Sequence, residues 1–138
     1  MERTFAIIKP DAVKARHAGQ ILQRIEESGF RILALRLQHL TKTEAEGFYA
    51  VHRARPFFGS LTDFMSSGPC IVMCLEAPDA IKKWRTLMGA TDPAKADAGT
   101  LRKQFGVDLT SNAVHGSDSA ENGLRETAFF FAGAELGR

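Results

Sequence analysis

The sequence predicts an α+β fold: a ferredoxin-like β-α-β-β-α-β antiparallel sheet with additional helices, built as a single domain over residues 1–138. Three observations lead to it. Residues 4–8 and 70–75 are short, unbroken apolar runs bounded by turn residues, the pattern of buried strands. Residues 30–40 alternate instead, with Ile32, Ala34, Arg36 and Gln38 on one side and Leu33, Leu35, Leu37 and His39 on the other. That is a strand with one largely apolar face and one mixed face. Between the strands, Ala18, Ile21, Leu22 and Ile25, and later Ile81, Trp84, Leu87 and Met88, recur at helical spacing.

The connecting residues fit this order. Lys9-Pro10-Asp11 stops the first strand, because proline disfavours helix at the residue before it and suits the first turn of the next element. Gly29 ends the first long helix. Thr43 with Glu46 has capping-box spacing and opens a short helix towards Tyr49 and His52. Pro56-Phe57-Phe58 interrupts it, and a second short helix runs over residues 59–65 before the turn at Gly68-Pro69. Residues 89–99 shift to Gly, Ala, Thr, Asp and Pro, which is loop chemistry, and loops of that length tend to be functional or mobile. A short helix over residues 100–105 and a short strand near residues 112–114 come next. Asp118 with Glu121 has N-cap spacing for a final helix reaching Phe131.

Composition narrows the field without naming a function. An apolar share of 44% and a charged share of 25% are those of an ordinary globular domain, which excludes a disordered or fibrous chain. A net charge of +2 is well short of what nucleic-acid domains usually carry. Cys70 and Cys74 lie in one predicted strand, where four residues separate Cα atoms by about 13 Å. A disulfide needs roughly 7 Å or less, so both are expected as free, buried thiols of a reducing compartment. The N-terminal apolar stretch is too short for a signal peptide, and no segment nears the ~20 apolar residues of a membrane span. The expectation is a cytoplasmic protein with no membrane partner.

The chemistry centres on Asn112-Ala113-Val114-His115-Gly116-Ser117-Asp118-Ser119. Here an imidazole precedes a glycine and a cluster of short polar residues at a helix start. Free N–H groups and a partial positive charge at that terminus suit a phosphate, and imidazole is a neutral nucleophile near pH 7. Ser119, Asn122 or Gly123, and Glu126 fall on one helical face, so Glu126 can point back towards His115 and fix its tautomer. On local chemistry alone two readings stand: a phosphoryl-accepting nucleophile, and a loop histidine hydrogen-bonded beside a conventional N-cap.

The same segment closely resembles the active-site signature of nucleoside diphosphate kinases, and further stretches occur in that family's order. They are Ile7-Ile8-Lys9-Pro10-Asp11-Ala12-Val13, Glu46-Gly47-Phe48-Tyr49 through His52, Arg55-Pro56-Phe57-Phe58, Ser67-Gly68-Pro69, Arg85 with residues 87–93, and Gly99-Thr100-Leu101-Arg102. The likeness covers residues 3–131. It implies transfer of a γ-phosphoryl group from a nucleoside triphosphate to a nucleoside diphosphate, ping-pong, through a phosphohistidine on His115. It further implies that Glu126 holds the ring, that Ser117 supports Glu126, and that Tyr49 lies near the transferred group. Lys9, Arg85, Arg102, Thr91 and His52 would contact phosphates, Lys9 also the sugar, Asn112 the ribose, and Phe57 and Leu109 the base from either side. Stacking of that kind chooses weakly among bases. Mg²⁺ is implied as a companion of the nucleotide phosphates, with no direct protein ligand. The resemblance also implies a homo-oligomer, a dimer-based tetramer or hexamer.

Three other classes find less support. Ferredoxin-like RNA readers display sheet aromatics, whereas these strands are aliphatic, so nucleic acid is not expected as the main partner. No Gly-x-x-x-x-Gly-Lys-Ser/Thr phosphate loop occurs. His17, His39, His52 and His115 show none of the tight spacings of known metal motifs. Trp84, beside Arg85, departs from the family pattern, where a smaller or polar residue is expected. It would pack the helix or touch a neighbouring subunit.

Overall fold

The computed structural model describes residues 1–137; Arg138, the last residue of the predicted single unit, lies outside them. The chain order is β1 (Glu2–Ile8), α1 (Pro10–Lys14), α2 (Ala18–Glu27), β2 (Arg31–Gln38), α3 (Lys42–Phe48), α4 (Phe58–Met65), β3 (Cys70–Ala77), α5 (Ala80–Met88), α6 (Leu101–Phe105), β4 (Val114–Gly116) and α7 (Ala120–Phe130). Short 3₁₀ turns occupy Ala50–His52, Pro93–Lys95 and Gly133–Leu136. The four strands form one sheet in the order β2-β3-β1-β4, antiparallel throughout. This is the expected ferredoxin-like arrangement with extra helices.

The apolar runs are unbroken because helices cover both faces of the sheet. Alternate residues of β1 and β3 enter different cores. Ala6, Ile8, Ile71, Met73 and Leu75 pack with Ile21, Ile25 and Trp84 on the α2/α5 face. Phe5, Ile7, Cys70, Val72 and Cys74 pack with Phe48, Met65 and Phe130 on the opposite face. Both cysteines are free and buried there.

Four local expectations are corrected. In β2 the pairing skips Leu33 between Ile32↔Leu75 and Ala34↔Cys74, a bulge that turns Leu33 and Ala34 towards the same core. The apolar side of the simple alternation is thereby split: Leu33 is buried while Leu35 and Leu37 are 45% and 62% exposed. Thr41, not Thr43, caps α3, its Oγ1 accepting from the Glu44 N–H while its own N–H donates to the Glu44 carboxylate. Ser119, not Asp118, caps α7 by accepting from the Asn122 N–H, and Asp118 instead accepts from the Asn122 side chain. The last strand begins at Val114 rather than Asn112, because Ala113 has φ 74° and cannot continue an extended chain.

Candidate active site

β4 is a three-residue edge strand whose only neighbour among the described residues is β1, in the register Ile7↔His115. Val114 points into the α2/α5 core, so alternation sends the imidazole of His115 to the other face. There its ring lies edge-on to Phe5, Phe48 and Tyr49, at centroid distances of 6.2, 5.5 and 6.2 Å. The histidine side chain keeps 18% of its surface open, at a cavity of about 510 Å³.

The turn before β4 is held by the segment after β1. Lys9 N–H donates to the Ala113 carbonyl at 2.8 Å, and the Ala113 N–H donates to Asp11 Oδ2 at 3.1 Å. Burial raises the Asp11 carboxyl above its ordinary value. The left-handed Ala113 is thus tied on both sides, and the direction in which Asn112 and His115 leave the turn is set. Lys9 Nζ donates to Asn112 Oδ1 at 2.8 Å and to the Thr110 carbonyl at 3.2 Å, and Asn112 Nδ2 donates to the carbonyls of Thr91 and Leu109.

Glu126, on the buried face of α7, reaches back as its spacing suggested. His115 Nε2 and Glu126 Oε1 are 3.1 Å apart, and Ser117 Oγ donates to the same oxygen at 2.7 Å. The Phe5 N–H in turn donates to Ser117 Oγ at 3.2 Å. Burial by itself would raise the Glu126 carboxyl, but the hydrogen bond and charge of His115, with Ser117 and Arg125, outweigh it and hold the group below its ordinary value. Glu126 is therefore ionised near neutral pH and can only accept. An ionised Glu126 accepts from a protonated Nε2, and in the neutral imidazole that tautomer carries its lone pair on Nδ1.

Cations converge on the same space. Burial, then the charge of Arg102, push Lys9 down to about 8. Burial, then Arg85, push Arg102 down to about 10. Arg102 donates to the carbonyls of Gly89 and Val114, and its Nε is buried without a partner among the described residues. Tyr49 is buried, which raises its phenol above the ordinary value.

The cavity brings together Lys9, Tyr49, Phe57, Thr91, Arg102, Leu109, Asn112 and His115. Phe57 and Leu109 are 47% and 63% exposed, as befits its mouth. Glu126 and Ser117 stand behind His115, and two of the residues expected to touch the nucleotide stand outside. Arg85 lines a smaller recess that shares Thr91, Arg102 and Gly116 with the cavity. His52 lies with its ring tilted 55° to that of Phe57, at a centroid distance of 5.5 Å, without lining the cavity, because it sits in a 3₁₀ turn after α3 has ended. Sequence reasoning missed Ser60, Leu61 and Thr110 in the wall. The first two were open to detection, since they lie three and four residues from Phe57 and share its helical face. Among the described residues no group of three or more His, Cys, Asp or Glu side chains is placed to hold a metal ion.

An ionised carboxylate behind a histidine, with cations and exposed apolar side chains around the cavity in front of it, is the chemistry of a site for a phosphorylated ligand, in the class of enzymes that act on nucleotides. The family model described as nucleoside diphosphate kinase matches residues 2–136, and the chain belongs to that family. The nucleoside diphosphate kinase of Syntrophotalea carbinolica is 60% identical over 136 residues, covering 99% of each chain, and that of Geotalea daltonii is 58% identical over the same length. The crystal form of the Aquifex aeolicus nucleoside diphosphate kinase superposes with a TM-score of 0.95 at 46% identity, over 98% of both chains. A halophilic nucleoside diphosphate kinase from Halobacterium salinarum, solved with CDP, superposes at 0.93 with 40% identity over 98% of this chain and 90% of that one. Members transfer phosphoryl groups between nucleotides, a reaction that generally needs a divalent cation. No helix among the described residues is long and apolar enough to cross a membrane.

Proposed function

We propose that His115 is the residue that accepts the γ-phosphoryl group of a nucleoside triphosphate and passes it to a nucleoside diphosphate. The pairing of His115 Nε2 with Glu126 at the cavity wall carries this reading. The Nδ1 lone pair attacks the γ-phosphorus in line, the bond from that phosphorus to the β–γ bridging oxygen breaks, and the nucleoside diphosphate leaves with the electron pair. A second nucleoside diphosphate reverses the step, its terminal oxygen attacking phosphorus while the N–P bond breaks. Glu126 keeps Nε2 protonated and stabilises the charge that the ring gains as nitrogen bonds to phosphorus. Ser117 fixes the carboxylate from behind.

Phosphoryl transfer asks mainly for alignment and charge stabilisation. Lys9, Arg102 and, from the adjoining recess, Arg85 meet the phosphates, with Thr91 adding a hydroxyl. Tyr49 presents its phenol beside the transferred group, and Asn112 meets the ribose. The base lies between Phe57 and Leu109, and such stacking selects weakly among bases. His52, whose ring lies 5.5 Å from that of Phe57 at the margin of the cavity, adds a further polar contact to the phosphates. The cavity presents cations and hydroxyls rather than a carboxylate cage, so the required divalent ion enters as Mg²⁺ already bound to the nucleotide phosphates. The same reading takes the chain as one domain working as a cytoplasmic homo-oligomer. The exposed Leu35 and Leu37 on β2, an outer strand of the sheet, support association.

Incubation with radiolabelled ATP and Mg²⁺ tests the proposal. The protein acquires an acid-labile, base-stable label that chases onto GDP, and a His115→Ala variant acquires none. Label persisting in that variant overturns the mechanism.

A further inference from the structure

Trp84 is the only tryptophan in the chain and is fully buried in the middle of α5. Its ring stands edge-on to Phe30, at 5.9 Å and 86°. Its other edge lies against β4 so closely that a Cβ built on Gly116 would sit 2.4 Å from Trp84 Cδ1. A buried indole N–H needs an acceptor, and this one donates to the backbone carbonyl of His115 at 3.1 Å. Trp84 thus neither points to a neighbouring subunit nor merely fills the helix interface. It binds the main chain of the residue whose side chain faces the cavity.

That bond matters because β4 is poorly restrained by the sheet alone. It is three residues long, pairs only with β1, and leaves the left-handed Ala113 immediately upstream. The imidazole is held from the α7 face by Glu126, so its ring direction depends on where its own backbone stands relative to that carboxylate. Movement of the strand away from α5 would lengthen the 3.1 Å contact between Nε2 and Oε1 or swing Nδ1 out of line with the cavity. The contact at Gly116 blocks movement in one direction, and the indole N–H resists it in the other.

We propose that Trp84 is a positioning residue for phosphoryl transfer: it fixes the main chain of His115 from the α5 side so that Glu126 meets Nε2 and Nδ1 faces the nucleotide. This rests on the reading of His115 as the phosphoryl acceptor. Since the indole is fully buried behind β4 and does not itself line the cavity, it contributes to the step in which phosphorus is attacked and not to nucleotide binding.

Single-turnover labelling of the full chain by radiolabelled ATP and Mg²⁺ tests this, with Trp84 replaced by benzothienylalanine, a ring of the same shape with sulfur in place of N–H. A Trp84→Phe variant gives the same comparison with an ordinary residue, and the isostere keeps the packing should that variant fail to fold. At saturating ATP the rate of label uptake falls about fivefold to tenfold, the worth of one net hydrogen bond. The Kd for ATP stays within about a factor of two of the parent, which a general loosening of the fold would not allow. An unchanged rate in the benzothienylalanine protein, or a rate loss matched by an equal loss of affinity, overturns the proposal. A parent protein that takes no label, or label surviving in His115→Ala, instead overturns the reading of His115 itself.

Discussion

Replacing Glu126 by Gln asks how much the charge behind His115 contributes, as distinct from its geometry. The amide oxygen of a glutamine can stand where Oε1 stands and still accept from His115 Nε2 and Ser117 Oγ, which lie 3.1 and 2.7 Å away. What is lost is the negative charge. Hydrogen bonds to charged groups contribute about 1.5–3 kcal/mol and neutral ones about 0.5–1.5, so the ground-state difference is about 1 kcal/mol. The imidazole gains positive charge as Nδ1 bonds to phosphorus. Full unit charges about 3 Å apart interact by roughly 5 kcal/mol at an effective dielectric of ~20, and only part of that charge has developed in the transition state. The barrier therefore rises by about 1–3 kcal/mol, a slowing of roughly fivefold to 150-fold. Glu126→Ala goes further, because no acceptor then fixes the tautomer. Rapid-quench measurement of label uptake at saturating ATP, together with the ATP Kd, reads both variants. The expected order of rates is parent, Gln, then Ala, with affinity changed less than about threefold. A Gln variant at the parental rate, or one that loses affinity in step with rate, refutes an electrostatic role for this carboxylate.

Lys9 titrates at about 8 where an ordinary lysine titrates at 10.5, so affinity for ATP falls as pH rises through about 8, and a Lys9→Gln variant lacks that inflection in an ATP-binding titration. For folding the sign is opposite: between about 8 and 10.5 the unfolded chain binds the proton that the native chain has released, so this group makes stability increase with pH across that window, and denaturant titrations at pH 7.5 and 9.5 read a smaller increase in Lys9→Gln. Gly116→Ala places its methyl 2.4 Å from Trp84 Cδ1 and 2.6 Å from Met88 Cε; overpacking of this kind costs about 1–3 kcal/mol and lowers the thermal midpoint by several degrees, whereas an unchanged midpoint would mean that α5 and β4 are not in firm contact.

The main strands and long helices were legible because burial on both faces leaves a strong signal, an unbroken apolar run such as residues 70–75. What escaped depends on single backbone conformations that spacing does not reveal. The bulge at Leu33 needs one extra residue, and the alternation of leucines around it reads as a simple strand. Thr41 and Thr43 each have a glutamate three residues on, so only the path leaving Leu40 decides which threonine caps α3. The same limit governs the site. Lys9, Asn112, His115 and Glu126 converge as the sequence implied, each lying at the end of an element or on a predictable helix face. His52 does not line the cavity, because the helical phase that would have placed it is lost at Tyr49, where α3 gives way to a 3₁₀ turn.

Edge strands are the least restrained parts of a sheet, and β4 is the shortest strand here, yet it carries the histidine. The edge has a chemical advantage: with no strand beyond β4, a cavity of about 510 Å³ opens beside His115, room that an interior strand could not give. The cost is loss of the second ladder that would hold the residue still. This chain replaces that ladder with side chains. Asp11 and Lys9 hold the turn at Ala113, Trp84 holds the His115 carbonyl from one layer, and Glu126 with Ser117 holds the imidazole from the other. Three independent elements thus constrain one residue, and a defect in any of them should slow transfer before it unfolds the domain. Combining Trp84→Phe with Glu126→Gln separates this from simple additivity. If both act through the placement of one imidazole, the double variant is slowed by a different factor from the product of the single losses, whereas independent structural damage would multiply.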